Sequence, residues 1–161
     1  MQDTTHPPTF TLPTDQEITM TYVVRAPREL VWRAHTEPEH VRAWMLGPDD
    51  WTMPVCEMDV RPDGSWRWVW SGPEGETMEM TGSYLVVEHP ERLVNTERWG
   101  GDWPETTTTL ILTEEDGVTA ISQSVHYPTP EAREAARATG MAEGWGQSYE
   151  RLAHYLESLQ A

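Results

Sequence analysis

The chain of 161 residues carries a formal net charge of -16, from 27 acidic side chains against 11 basic ones, and every basic one is arginine. Such a surface repels nucleic-acid phosphates and anionic lipid, and a chain without lysine cannot form a Schiff base through a side-chain amine. Cys56 is the sole cysteine, which excludes an intramolecular disulfide, a thiolate-rich zinc site and a CxxC redox pair.

One domain is expected, because a chain of this length buries roughly two thirds of its unfolded surface around a single core. Residues Met1 to Gln16 are polar and rich in Thr and Pro, with no basic segment leading an apolar run. They read as a flexible tether rather than a secretory signal, ahead of a domain over 17–161. No stretch reaches the roughly 18 apolar residues of a membrane span, so a cytoplasmic protein without membrane insertion is expected.

Ile18, Met20, Tyr22 and Val24 alternate with Thr19, Thr21, Val23 and Arg25, the period of a half-buried strand. Pro27 then suits a first helical turn, and Leu30, Val31 and Ala34 predict a short apolar face through about Thr36. Pro38 restarts a helical turn with Val41, Trp44 and Met45 on one side, ended by Gly47-Pro48-Asp49-Asp50. From Pro54 the pattern becomes strands of eight to ten residues. They are punctuated by Pro62-Asp63-Gly64, Gly72-Pro73-Glu74-Gly75, His89-Pro90-Glu91, Gly100-Gly101-Asp102 and Glu115-Asp116-Gly117.

Five breaks delimit six strands, about seven with the first, and short turns make neighbours antiparallel. Residues Glu131 to Leu159 then place Met141, Trp145, Ser148, Leu152, Tyr155 and Leu159 on one stripe of a long helix. Gly140, Gly144 and Gly146 interrupt that helix, permitting either a kink or a close approach to the sheet. The expected class is α+β, with a curved antiparallel sheet and a long helix packed in two layers.

Several phrases carry a family resemblance. They are Ala26-Pro27-Arg28-Glu29-Leu30-Val31-Trp32, Thr36-Glu37-Pro38-Glu39-His40-Val41-Arg42-Ala43-Trp44 and Asp59-Val60-Arg61-Pro62-Asp63-Gly64-Ser65-Trp66-Arg67. Gly82-Ser83-Tyr84, Pro90-Glu91-Arg92-Leu93-Val94 and Gly144-Trp145 follow in the same order. Over Glu17 to Gln160 the chain resembles the START-like SRPBCC superfamily, and within it the family similar to the activator of the heat-shock-protein-90 ATPase. The resemblance implies a helix-grip fold in which the sheet and the C-terminal helix enclose an apolar cavity. Similar domains include co-chaperone modules, lipid and hormone carriers, polyketide aromatase/cyclases and hydrolase-like stress proteins, so the fold alone selects no activity. Two departures stand out. Asp63-Gly64 replaces the family's usual double glycine, and Met141 stands where the family has the histidine of a His-x-x-Gly-Trp phrase.

Trp66-Arg67-Trp68-Val69-Trp70 puts three indoles on one face of a strand. By family register that face looks toward the long helix. Such a wall either fills a core or stacks on a planar, aromatic or polycyclic ligand. Each buried indole N–H needs an acceptor, for which Glu79, Asn95, Glu97, Gln123 and Ser148 are candidates. With Met80 and Tyr84 from the next strand, and Met141, Trp145 and Ser148 from the helix, these indoles, Asn95, Glu97 and Gln123 make up the expected ligand-binding set. Tyr84 pairs with Val86 on one face, and Gln123 lies between Ile121 and Val125 on another. A neutral amide in an apolar row costs roughly 1–3 kcal/mol if unpaired, so Gln123 is either at an edge or bonded to a partner.

For proton chemistry the candidates are Glu97, Gln123, His126 and Tyr84. Glu97, beside Asn95 and Trp99, would have its pKa raised by burial among indoles, unless it faces solvent and pairs with Arg98. His35 and His40 bracket Glu37 and Glu39, but Pro38 breaks the helix that would align them, so no metal site is expected. No Walker loop, nucleophile elbow or dinucleotide fingerprint is present, and no cofactor is expected.

Three functions follow in order of preference. The first is binding of a small apolar molecule in the cavity. The second is a cofactor-independent cyclase, dehydratase or hydrolase using the same cavity. The third is a co-chaperone-like module that presents the outer sheet face to a protein. Nucleic acid is not an expected partner, and a homodimer is compatible with the sequence.

Overall fold

The computed structural model describes residues 7–161. Eight strands and four helices follow in order: β1 (Thr9–Thr11), β2 (Glu17–Val24), α1 (Arg28–Thr36), α2 (Pro38–Trp44), β3 (Thr52–Met58) and β4 (Ser65–Ser71). Then come β5 (Thr77–Glu88), β6 (Arg92–Trp99), β7 (Thr106–Glu115), β8 (Val118–His126), α3 (Pro130–Arg137) and α4 (Met141–Gln160). All five turn phrases separate the strands they were expected to separate. The sheet is antiparallel in the order β1-β2-β8-β7-β6-β5-β4-β3, curved and unclosed, with α4 across its concave side.

The alternation of β2 translates directly into packing. Ile18, Met20, Tyr22 and Val24 are buried, and Met20 pairs with Gln123 and Tyr22 with Ile121 on β8. Joining the first long strand to the last carries the sheet across the whole domain. Val31, Trp32, Ala34 and His35 bury the inner face of α1, and Val41 and Trp44 that of α2. Pro27 is the residue before the first turn of α1 rather than a member of it.

Several expectations need correction. Thr9–Thr11, assigned to the tether, form β1 on the outer edge of β2, and the Phe10 ring sits 5.4 Å from Trp145. Backbone pairing of this short segment with Thr19–Thr21 covers part of the edge of β2, which a tether would leave unpaired. Residues 1–6 of the expected tether lie outside the described residues.

The single long helix is two. Thr129 caps α3 by accepting from the Ala132 amide at 3.0 Å, and Gly140, at φ 78°, turns the chain before α4 starts. The expected stripe lies wholly within α4, but the face turned to the core is centred about one position further round. The buried face of α4 carries Ser148, Tyr149, Leu152 and Leu156, whereas Leu159 is 41% exposed.

On β5 a bulge between Tyr84 and Val86 leaves Leu85 exposed and turns Val87, not Val86, onto the core side that Tyr84 occupies. An extra residue inverts the alternation beyond it. At the β3–β4 turn, Asp63 takes φ 68° where the family's first glycine would stand. Asp tolerates this left-handed conformation better than most side chains.

Candidate functional site

Between the concave sheet and α4 lies a cavity of about 630 Å³. Of the nine tryptophans, all but Trp32 have atoms on its wall. Strand alternation delivers the indoles of β4 inward together with Met80 and Tyr84 of β5, and Asn95, Glu97 and Trp99 of β6. Gln123 enters from β8, and Met141, Trp145 and Ser148 from α4. All eleven residues of the expected ligand-binding set therefore touch one space. Exposed Met78, Trp103 and Glu143 are also on the wall and mark where it meets solvent.

The indoles pack on one another as well as on the cavity. Trp66 and Trp68 lie 4.7 Å apart, Trp68 and Trp70 5.8 Å apart edge to face, and Trp70 stacks on Trp99 at 5.8 Å. On the opposite face of β4, Arg67 pairs with Glu79 at 2.5 Å, as the alternation requires. None of the five expected acceptors receives an indole proton from β4. Trp70 donates to the Met45 carbonyl at 2.8 Å, while the buried Nε1 atoms of Trp66 and Trp68 have no partner. Trp66 Nε1 faces the sheet: a Cβ at Gly82 would fall 2.6 Å from it and 1.9 Å from the Thr96 carbonyl oxygen. Gly82 is thus the position that lets the indole lie flat against β5. Ser148 accepts from the Gly47 amide at 2.8 Å, tying α4 to the loop after α2.

Glu97 is the most perturbed acid. Its remaining accessible surface faces the cavity, and burial pushes its pKa up to about 7, partly countered by the polar groups of Thr108 and Asn95. Arg98 turns away and pairs with Glu105 at 3.2 Å. Burial, with a smaller contribution from the Glu97 charge, raises the phenols of Tyr127, to about 12, and Tyr149. Tyr84 is raised mainly by burial. Among the described residues, no arginine lines the cavity, and its ionisable wall consists of Glu97, Glu143, His35 and tyrosines.

A buried polar chain reaches the cavity from behind. His35 Nδ1 is 2.8 Å from the Val31 carbonyl, His35 Nε2 is 3.0 Å from the Tyr149 hydroxyl, and that hydroxyl touches the Gln123 amide. Gln123 is therefore bonded to a partner, the second of its two expected alternatives. Burial lowers His35 to about 4, so its ring is neutral. Tyr149 and His35 were not singled out as site residues. Tyr149 falls off the expected helical stripe, and His35 offered only its place four residues after Val31, where an imidazole can reach back to a carbonyl.

His126 is the candidate that the structure removes from the site. It is the last residue of β8, points outward and lies 3.5 Å from Glu17, with no atom on the cavity wall. Inward positions on β8 are the odd-numbered ones through Val125, so His126 faces solvent by alternation. Glu37, Glu39 and His40 each bring a ligand atom within 4.8 Å of the others at the start of α2, away from the cavity wall, with His40 largely buried and both glutamates at least partly exposed. His40 already holds the Tyr155 hydroxyl at 2.5 Å. No helix of the described residues is long and apolar enough to cross a membrane.

The structure is similar to that of a Rhodobacter sphaeroides protein at 32% identity and a TM-score of 0.90, covering 95% of this chain and 99% of that one. A Nitrosomonas europaea protein follows at 27% identity, a TM-score of 0.83, and coverage of 92% and 99%. CalU16 from Micromonospora echinospora, at 19% identity, a TM-score of 0.60, and coverage of 89% and 79%, shares the fold alone. No curated protein matches the sequence. The family model for the activator of Hsp90 ATPase homolog 1-like protein matches residues 25–157. With that match over most of its length and the helix-grip architecture around a cavity, the chain belongs to the activator of Hsp90 ATPase homolog 1-like family of START-like SRPBCC domains.

Proposed function

We propose that the protein binds a small hydrophobic molecule with an aromatic or polycyclic body in the space between sheet and α4. The observation that carries this reading is the cavity itself. Its volume of about 630 Å³ falls within the roughly 300–1,000 Å³ of ordinary small-molecule sites. A wall of indoles and thioethers favours flat apolar surfaces by stacking and burial. The test is a titration of intrinsic Trp fluorescence with aromatic alcohols and polycyclic compounds, beside native mass spectrometry of freshly purified protein. Saturable quenching that weakens in Trp68→Ala, or a co-purifying small mass, supports the reading. Quenching that rises linearly with every compound, and no bound mass, would count against it.

A second reading, proton-transfer catalysis in the same space, is favoured by Glu97. A carboxyl with a pKa of about 7 at a cavity wall can give or take a proton near neutral pH. Tyr84 and Gln123 are on the same wall to orient a substrate. Turnover of a co-purifying compound that survives Glu97→Gln would remove this reading.

A further inference from the structure

The cavity contains a pattern of charge and hydrogen-bonding groups that narrows the ligand class. Its buried polar chain has a donor count that can be solved. His35 Nδ1, 2.8 Å from the Val31 carbonyl, must carry the ring proton, because two acceptors would repel at that distance. The neutral ring then presents Nε2 as an acceptor, and only the Tyr149 hydroxyl can supply a proton to it. With Gln123 Oε1 also against that hydroxyl, one proton would have to serve two acceptors. Turning the Gln123 amide by a half-rotation resolves the chain: Nε2 donates to Tyr149, Tyr149 donates to His35, and His35 donates to Val31. Gln123 Oε1 is left as a free acceptor on the cavity wall.

That acceptor is accompanied by others. Glu97 is on the wall from β6, Glu143 is at the rim on α4, and among the described residues no arginine lines the cavity. The groups packed around Glu97 are Asn95, Thr108, Tyr127 and Tyr149, all uncharged at neutral pH. The neighbouring wall is made of Trp66, Trp68, Trp70 and Trp99, whose ring faces attract cations. The whole chain, at -16, draws cations to its surface and repels anions.

From this geometry we infer that the cavity selects an aromatic ligand bearing a protonated amine, and discriminates against carboxylates such as fatty or aryl acids. The ammonium group donates to Glu97, the ring system lies against the indoles, and the Gln123 oxygen adds to the acceptor character of the wall. This deepens the ligand-binding reading above and rests on it.

The test is isothermal titration calorimetry at about pH 8, where an ordinary carboxylate is ionised, with three probes of one shape: 1-naphthylmethylamine, 1-naphthylmethanol and 1-naphthoate. The expected order is amine about tenfold tighter than alcohol, with naphthoate weakest. In Glu97→Gln the amine and the alcohol should bind within about threefold of each other. Naphthoate binding as well as the amine, or an amine-to-alcohol ratio that Glu97→Gln leaves intact, overturns the inference while leaving a ligand site in place. Failure of all three to bind overturns the ligand-binding reading together with it. Should the variant fail to fold, the order of the three probes on the natural protein decides the question alone.

Discussion

Replacing Glu97 by Gln should remove a loss of stability that this carboxyl imposes on the natural protein as pH rises through neutrality. Two buried groups are displaced in opposite senses. Glu97 is held at about 7 in the fold against an ordinary 4.5, so the folded state keeps a proton that the unfolded state releases. Its contribution is present below the unfolded value and is lost as pH rises toward 7. His35 is held at about 4 against an ordinary 6.5, so the unfolded state takes a proton that the fold refuses. Its contribution is present above the unfolded value and is lost as pH falls toward 4. Proton linkage is worth about 1.4 kcal/mol for each tenfold difference in proton affinity between folded and unfolded chains, which gives a loss of about 2.5 kcal/mol from Glu97 between about pH 5 and pH 8. The same relation gives a gain of about 2 kcal/mol from His35 over that range.

In the natural protein the two nearly cancel. Urea unfolding followed by circular dichroism at about pH 5, 6.5 and 8 reads the difference between Glu97→Gln and the natural chain, in which every other titrating group drops out. That difference should move by about 2.5 kcal/mol in favour of the variant, or about 5–10 °C in Tm for a domain of this size. A difference that stays constant within about 0.5 kcal/mol would mean that Glu97 titrates as an ordinary solvated acid, and would refute its placement in a dry wall.

Three further outcomes are expected. Tyr149→Phe removes the hydroxyl joining His35 to Gln123 and leaves His35 Nε2 and the facing end of the Gln123 amide without a partner, while His35 Nδ1 keeps the Val31 carbonyl; it should cost about 1–3 kcal/mol in urea unfolding, against near neutrality if the chain of bonds were absent. Gly82→Ala forces a Cβ against the Thr96 carbonyl and Trp66; a loss of about 1–3 kcal/mol with altered near-ultraviolet circular dichroism is expected, and an unchanged indole spectrum would contradict the packing described. Burial raises the Cys56 thiol to about 11, so an aromatic disulfide reagent at neutral pH should react with it far more slowly in the fold than in urea; equal rates would place Cys56 at the surface.

Much of the fold was legible because period and punctuation agree along the sheet. The alternation at Ile18–Val24 and the turn phrases from Pro62 to Gly117 each correspond to an observed strand or turn. The indole face of β4 was equally legible, since Trp66, Trp68 and Trp70 can point only one way together. Elsewhere the buried face departed from the pattern. The bulge at Leu85 exchanged Val86 for Val87, and α4 meets the sheet on a face centred one position round from the expected stripe, adding Tyr149 and Leu156 to Ser148 and Leu152. The first depends on one residue whose backbone conformation the surrounding sequence does not dictate, and the second on how the helix is rolled against the sheet, which its own spacing does not fix. Strand β1 was hidden for another reason: three residues bury too little surface to produce a period, and Phe10 acquires its role only from Trp145, 135 positions later in the chain.

The candidate site was visible as a set of residues but not as a network. Glu97 and Gln123 were recognisable as polar side chains in apolar rows, which burial makes costly and hence informative. What the sequence could not place was their partners. Tyr149 and His35 come from α4 and α1, and only the packing of both helices onto the sheet brings them to Gln123. His126 was a candidate for proton chemistry, yet adjacent strand residues face opposite sides, and its neighbour Tyr127 rather than His126 reaches the wall.

Whether the space bounded by the indoles of β4 and β6 takes a ligand can be read from the indole N–H signals of the nine tryptophans, followed in nitrogen–proton correlation spectra during titration with 1-naphthylmethanol. Trp32, packed against His89 at 5.4 Å and away from the cavity, serves as the internal reference. Saturable movement of the Trp66, Trp68, Trp70 and Trp99 signals is expected, with Trp32 unmoved. Absence of saturable movement, or a change at Trp32 as large as that of the cavity tryptophans, would contradict a ligand site between the sheet and α4.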